Sequence, residues 1–385
     1  MTQLSHGLPE VNLTLEGIRD PKFLQQIEKG RKGLNTGIPG TLKLTNKLHG
    51  IQRGRYYLIG AHPNVGKTQF TDYTFVFSLW LHAKKENKPI KIFYCSLELS
   101  TLEKQVKWCC TYLNWKYGLD WSSDFVMGRI PEKKPSDEEM EKIQEAYTFV
   151  ELLLKDVHIL DSTVSPSILT NYLIDEYYSK FGIVKRTELS SDERAKGEKG
   201  GVIAFIPQQE VPMTLLIIDH LALLDGKNSK ETIDDMSKKA VVLRNMFSTT
   251  IVFVQQFNQD LIKSRREALV RHGNKGAANV IAPQQMDFGD STYTYRDADY
   301  VIGLVKPCKF ELESFDGFPC TPPQLGGLGD SLIVSYLIKN RYGPVNLMFP
   351  LFMNGVAGMF YDLPDDLDPD LGPWINQALK LTKNG

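Results

Sequence analysis

Short apolar runs alternate with longer segments of helical periodicity along most of this chain. The runs at 55–59, 90–95, 156–160, 214–218, 250–254, 299–305 and 332–338 read as strands. Helical spacing fills 67–82, 102–117, 136–153, 166–180 and 231–247, with Ser136 and Glu139 placed as a capping box. Pro89 precedes the run at 90, where its missing N–H does little harm to a sheet. Strands that are apolar throughout, several of them separated by helices, predict an α/β fold. Its mostly parallel central sheet would be covered by helices on both faces.

The pattern breaks in four places. Residues 1–45 carry Pro9, Gly17, Gly30, Gly33, Gly37, Pro39 and Gly40 and read as an N-terminal arm with one short helix at 21–30. The core is expected over 46–355. Within it, 183–212 is densely charged and reads as a solvated insertion. Residues 259–290 lack clear periodicity and read as a loop. The stretch 356–385 opens with acidic and proline-rich residues and reads as a surface tail.

Composition narrows the class. The chain has 385 residues, 42% of them hydrophobic, and a formal net charge of −1. A nucleic-acid site must therefore be local and not a property of the whole surface. No apolar run approaches the roughly 20 residues of a membrane span, and the start lacks a basic-then-apolar secretory signal. The five cysteines, at 95, 109, 110, 308 and 320, follow no zinc-ligand spacing and are odd in number. A reduced cytoplasmic protein is the expectation.

Chemistry enters at Gly60-Ala61-His62-Pro63-Asn64-Val65-Gly66-Lys67-Thr68-Gln69. A strand precedes it and a helix follows. That is the setting in which G-x-x-x-x-G-K-[ST] wraps phosphates with backbone N–H groups and a helix N-terminus. Lys67 is expected to reach the β- and γ-phosphates of ATP, and Thr68 to offer a hydroxyl to Mg²⁺. Asp219 ends the apolar strand at 214–218, at the ligand edge of such a sheet, and is the candidate second metal oxygen. Glu98 lies just past the strand at 90–95 and is the candidate to activate water. An ordinary exposed Glu beside a Ser100 helix cap is the competing reading. The Gln255-Gln256 pair ends another strand, where an amide can contact a γ-phosphate and change contacts when it leaves. A buried amide serving a loop is its alternative. Lys339 and Arg341 follow the strand at 332–338 before a Gly-Pro turn. They suit anion recognition or, equally, a solvated pair of cations.

Taken in order, these segments resemble the ATPase domain of the DnaB-type replicative helicases, a hexameric branch of the RecA-like fold. Ser96-Leu97-Glu98-Leu99-Ser100, Ile217-Ile218-Asp219-His220-Leu221, Gln255-Gln256-Phe257-Asn258, Tyr295-Arg296-Asp297-Ala298-Asp299-Tyr300-Val301 and Lys339-Asn340-Arg341-Tyr342-Gly343-Pro344 carry the likeness over roughly 33–355. The resemblance implies a homo-hexameric ring that hydrolyses Mg-ATP, moves on single-stranded DNA and opens forked duplex. In it Glu98 activates water, Gln256 senses the γ-phosphate and Arg341 acts on the neighbouring subunit's nucleotide. The short N-terminal region leaves no room for a helical collar, and resembles a bacteriophage-encoded member working in a host cytoplasm. A primase or helicase loader is an implied partner. His220 stands where the family usually has Tyr.

The stretch from 263 to 275 carries Lys263, Arg265, Arg266, Arg271 and Lys275 against one acid, Glu267. Alone, such a run is a solvated face. In the family, loops here line the central channel, so these cations become candidate DNA contacts through the phosphate backbone. Two other classes share the phosphate loop. A RecA-like recombinase or annealing ATPase would form open filaments. A non-helicase ATP-binding accessory factor would show no DNA-stimulated turnover.

Overall fold

The apolar runs pair side by side. In chain order the strands are β1 (Tyr56–Ala61), β2 (Ile90–Ser96), β3 (Val157–Leu160), β4 (Gly182–Arg186), β5 (Val202–Pro207), β6 (Met213–Asp219), β7 (Thr250–Gln256), β8 (Tyr300–Val305), β9 (Ser314–Phe315), β10 (Phe318–Pro319), β11 (Leu332–Asn340), β12 (Leu347–Asn354) and β13 (Met359–Asp362). The structure is a computed structural model. It is described for residues 24, 27–28, 30–32, 36–188, 199–226, 228–258, 260–271, 276–289, 292–364 and 368–383.

A nine-stranded sheet takes the order β13-β12-β11-β8-β1-β7-β6-β2-β3. From β8 to β3 every neighbouring pair is parallel. β11, β12 and β13 continue it antiparallel. The chain therefore has a RecA-like P-loop fold, a mostly parallel sheet flanked by helices.

Alternation along the fully buried strands sorts two cores. Tyr57, Ile59, Leu215, Ile217 and Val252 face one layer, with the phosphate-loop helix and the helices Thr101–Tyr117 and Asp137–Leu154. Tyr56, Leu58, Leu216, Ile218 and Phe253 face the other, with the helix Ser229–Phe247 and the segment beginning Pro166–Asn171. This is the period-two pattern of a sheet buried on both faces. The capping box at Ser136 and Glu139 forms as the sequence predicts, and Ser100 with Glu103 makes a second.

Several expectations are corrected. The insertion at 183–212 contains an antiparallel hairpin, β4 with β5; its residues 189–198 lie outside the described set. Where a loop was expected over 259–290, the chain forms the helices Asp260–Arg271 and Ala277–Ile281. The apolar residues Leu269 and Ile281 bury into a third core and supply the periodicity that the charges obscure.

The tail 356–385 is not a surface strap. It contributes β13 and the helix Leu371–Lys383, whose Leu371 and Ile375 enter the same third core. The core also starts earlier than 46: Ile38 bridges to Ile51 and both are buried. Residues 1–37 group separately from 38–385. Of the helix expected at 21–30, helical backbone is described at 24, 27–28 and 30–31.

Gly60, in β1, has no room for a side chain. A Cβ there would stand 2.2 Å from the Phe257 ring and 2.5 Å from that of Phe288. Gly60→Ala should therefore cost about 1–3 kcal/mol of stability through overpacking. Urea unfolding checks this; an unchanged midpoint would contradict the packing described.

Candidate functional site

Parallel strands end together, and the register specifies which ends meet. Ala61 of β1 stands opposite Gln256 of β7, and Ser96 of β2 opposite Asp219 of β6. One edge of the sheet thus collects the phosphate loop, Glu98, Asp219 and Gln256.

The loop turns sharply from β1 into the helix that begins at Lys67. Asn64 has φ 57° and Gly66 φ 98°, and the Phe70 N–H closes on the Gly66 carbonyl at 2.8 Å. Glycine is needed at 66 for its left-handed backbone and because a Cβ would meet Met353 Sδ at 2.7 Å. Ala61, His62 and Val65 are buried, Pro63 is half-buried and Asn64 exposed. The helix runs Lys67–Thr71, passes through a π-helical Asp72–Ser78 and ends with Leu79–Lys85. Lys67 folds back over the loop and donates to the His62 carbonyl at 3.2 Å. Burial lowers its pKa; the carboxylates of Glu98 and Asp219 raise it, and Lys309 lowers it further. Thr68 is half-buried, and Gln69 donates to the Gly355 carbonyl at 2.8 Å.

Asp219 is 2% exposed. Its Oδ2 accepts from the Tyr94 hydroxyl at 3.1 Å, while Oδ1 is buried with no hydrogen-bond partner. A buried carboxylate oxygen left free is costly, and a cation relieves that cost. The open Asp219 oxygen fits the hard-oxygen preference of Mg²⁺, and the Thr68 hydroxyl, in the first turn of the phosphate-loop helix, is the second candidate oxygen. Among the described residues no cluster of three or more His, Cys, Asp and Glu could hold a metal unaided.

Glu98 does not merely flank a helix cap. Its Oε1 lies 2.9 Å from His220 Nε2, and the same nitrogen stands 3.4 Å from the Gln256 amide. His220 thus joins the candidate base to the candidate sensor, a contact the sequence reading missed. The adjacent Gln255 is buried, donating to the Phe288 carbonyl at 2.7 Å and accepting from the Thr294 hydroxyl at 2.9 Å.

Lys309 was also missed: its ammonium donates to the Pro63 carbonyl of the phosphate loop. It arrives from a turn after β8 that carries no motif, so only the fold brings it there.

Lys339 and Arg341 lie elsewhere. β11 runs antiparallel to β8, and Asn340 pairs with Tyr300, at the opposite edge of the sheet. Tyr57 also pairs with Tyr300, and about 13 Å of strand at ~3.3 Å per residue separates Tyr57 from Ala61. Lys339 donates to the Tyr295 and Arg296 carbonyls, each at 2.7 Å. Arg341 Nε stands 3.5 Å from Asp299 Oδ1, and the side chain remains 43% exposed.

The cationic stretch divides. Arg265 stands 2.7 Å from the buried Asp287 Oδ2 and is 11% exposed, an ion pair that braces the fold. Arg266 donates to the Lys309 carbonyl and lies 3.1 Å from Glu311, with 43% exposure. Lys263 and Arg271 sit on the helix Asp260–Arg271, and Lys275 lies outside the described residues.

No family model matches the chain, and no curated protein matches it. Among solved structures it is similar to the ATPase domain of G40P. The TM-score is 0.57 and the identity 16%, over 89% of this chain and 98% of that one. It is also similar to a DnaB-like replicative helicase described with its interactions with primase. There the TM-score is 0.58 and the identity 14%, over 91% and 68% of the two chains. At such identities the likeness establishes the fold. No described helix is long and apolar enough to cross a membrane.

His62 provides a test of the loop's surroundings. Both its ring nitrogens are buried without partners, and burial, then Arg265, Lys309 and Lys67, lower its pKa from 6.5 to about 4. The unfolded chain takes up this proton first, so stability is lost as pH falls from 6.5 toward 4. His62→Phe should flatten that part of the stability–pH curve; an unchanged slope in denaturant titrations would contradict the burial.

Proposed function

We propose that this protein is an ATP-driven DNA helicase that works as a ring of identical subunits, six by resemblance, on single-stranded DNA in the cytoplasm. The observation that carries the reading is the division of its candidate residues. Lys67, Thr68, Glu98, Asp219 and Gln256 gather at one edge of the sheet, and Arg341 with Lys339 stands at the other. A cation that cannot reach its own phosphate loop suits a site completed by the next subunit.

In this reading the backbone N–H groups from Gly60 to Thr68 cradle the phosphates, and Lys67 leaves the His62 carbonyl for the γ-phosphate. Gln69, at the helix's first turn, lies along the nucleotide. Asp219 and Thr68 hold Mg²⁺, which when bound offsets charge on the β- and γ-oxygens. Glu98 leaves His220 and accepts a proton from the attacking water. Arg341 of one subunit opposes the charge developing on its neighbour's phosphate, with Lys339 beside it.

Gln256 reads whether the γ-phosphate is present. The chain runs directly from it into the helix Asp260–Arg271, and the Asn258 N–H bonds the Asp287 carbonyl at 2.9 Å. That helix, through Lys263, Arg266 and Arg271 and the following Lys275, is the proposed DNA grip. It would hold phosphates with little sequence preference. A forked duplex is the proposed substrate, and a primase or a loader a proposed partner.

Subunit mixing tests the shared site. Arg341→Ala and Glu98→Gln should each lower DNA-stimulated ATP turnover by about 10³-fold or more. Mixed together they should recover part of it, because some interfaces keep both residues. Wild-type turnover by Arg341→Ala alone would overturn the composite site.

A further inference from the structure

Asp219 ends a buried polar chain whose other members the mechanism above does not use. Lys104, on the helix Thr101–Tyr117, is 0% exposed. Its ammonium donates to Asp72 Oδ1 at 3.1 Å, to Asp72 Oδ2 at 3.2 Å and to the Tyr94 hydroxyl oxygen at 2.9 Å. Tyr94, also 0% exposed, donates a hydrogen bond from its own hydroxyl to Asp219 Oδ2 at 3.1 Å. The Lys104 ammonium lies 3.9 Å from that same oxygen and 4.1 Å from the centre of the Tyr94 ring. Each member comes from a different element: Asp72 from the phosphate-loop helix, Tyr94 from β2, Lys104 from the following helix and Asp219 from the end of β6. Tyr94 and Ser96 lie on one face of β2, and Ser96 pairs with Asp219, so Tyr94 stands one pleat below the carboxylate it contacts.

The arithmetic of charge is uneven. One ammonium faces two carboxylates, and Asp72 with Lys104 already forms a bidentate pair. Asp219 is left with the Lys104 ammonium 3.9 Å away, one oxygen clamped and the other, Oδ1, buried without a hydrogen-bond partner. A group meant only to fill the core would not be left half-satisfied, since buried polar chains stabilise only when every member is paired. A donor series running toward Asp219 also fixes the carboxylate's rotation, because Oδ2 cannot swing away without breaking the Tyr94 bond.

We propose that Lys104 and Tyr94 are positioning residues for Asp219: they clamp Oδ2 so that Oδ1 is presented to a divalent cation. Asp72 holds Lys104 in place, which ties the start of the phosphate-loop helix to the metal carboxylate. The inference rests on reading Asp219 as a metal ligand. Outer partners of metal-holding carboxylates set affinity in this way, and their loss weakens it by about 10–100-fold.

The test titrates Mg²⁺ against binding of a fluorescent ATP analogue to the full chain. Tyr94→Phe keeps the ring and removes the one hydroxyl on Oδ2. It should raise the half-saturating Mg²⁺ about tenfold while leaving Mg²⁺-free nucleotide affinity unchanged. Lys104→Met alone strands two buried carboxylates and risks misfolding. The double variant Asp72→Leu with Lys104→Met removes a neutral pair, keeps the fold and should shift the Mg²⁺ curve in the same direction. A lowered melting temperature with half-saturating Mg²⁺ within twofold of wild type in both variants would overturn the clamp. If wild-type nucleotide binding ignores Mg²⁺, the reading of Asp219 itself fails, and the clamp with it.

Discussion

A carboxylate taken out of water with one oxygen unpaired is among the least comfortable groups a protein can bury, and Asp219 is such a group. The surrounding structure is arranged around that deficit. Lys104 and Tyr94 hold one oxygen, and Lys67 stands near enough to feel both Asp219 and Glu98. Every one of these groups depends on strand ends meeting in register. A one-residue slip of β6 against β2 would turn Asp219 to the other face of the sheet.

The same sheet separates two kinds of chemistry. Its parallel block brings Ala61, Ser96, Asp219 and Gln256 to one edge, and the reversal at β11 sends Lys339 and Arg341 to the other. One chain thus presents the phosphate-loop edge and a cationic edge on opposite sides. Those are the two halves that the proposed ring would need at each interface. The buried Asp299 underlies the second edge. Its Oδ2 accepts from the Tyr56 N–H at 2.9 Å and from Arg244 at 3.1 Å, while Oδ1 accepts from the Tyr342 hydroxyl at 3.3 Å and lies 3.5 Å from Arg341.

Much of this was legible in the residues. Runs such as Leu215–Ile218 are apolar at every position, so only a doubly covered strand suits them, and the glycine-bearing loop falls between a strand and a helix as its motif predicts. What stayed hidden has physical reasons. The charges that begin at 263 obscured the few apolar positions, Leu269 and Ile281 among them, on the helices Asp260–Arg271 and Ala277–Ile281. The acidic opening of the tail masked the helix around Leu371 and Ile375. The contacts of His220 with Glu98 and of Lys309 with Pro63 join residues far apart in sequence, with no local pattern to announce them. The buried chain did leave a trace. Asp72 interrupts an apolar helix, and Lys104 falls one turn before Trp108 on the inward face. A charge on an apolar stripe is a signal that something buried must answer it.

Strand displacement on a forked duplex tests the central claim most directly, with ATP and Mg²⁺ present and with 5′ and 3′ tails supplied separately. The account predicts ATP-dependent unwinding that requires one of the two tails and is abolished by Lys67→Ala. ATP turnover by the intact protein without strand separation on either fork would contradict it.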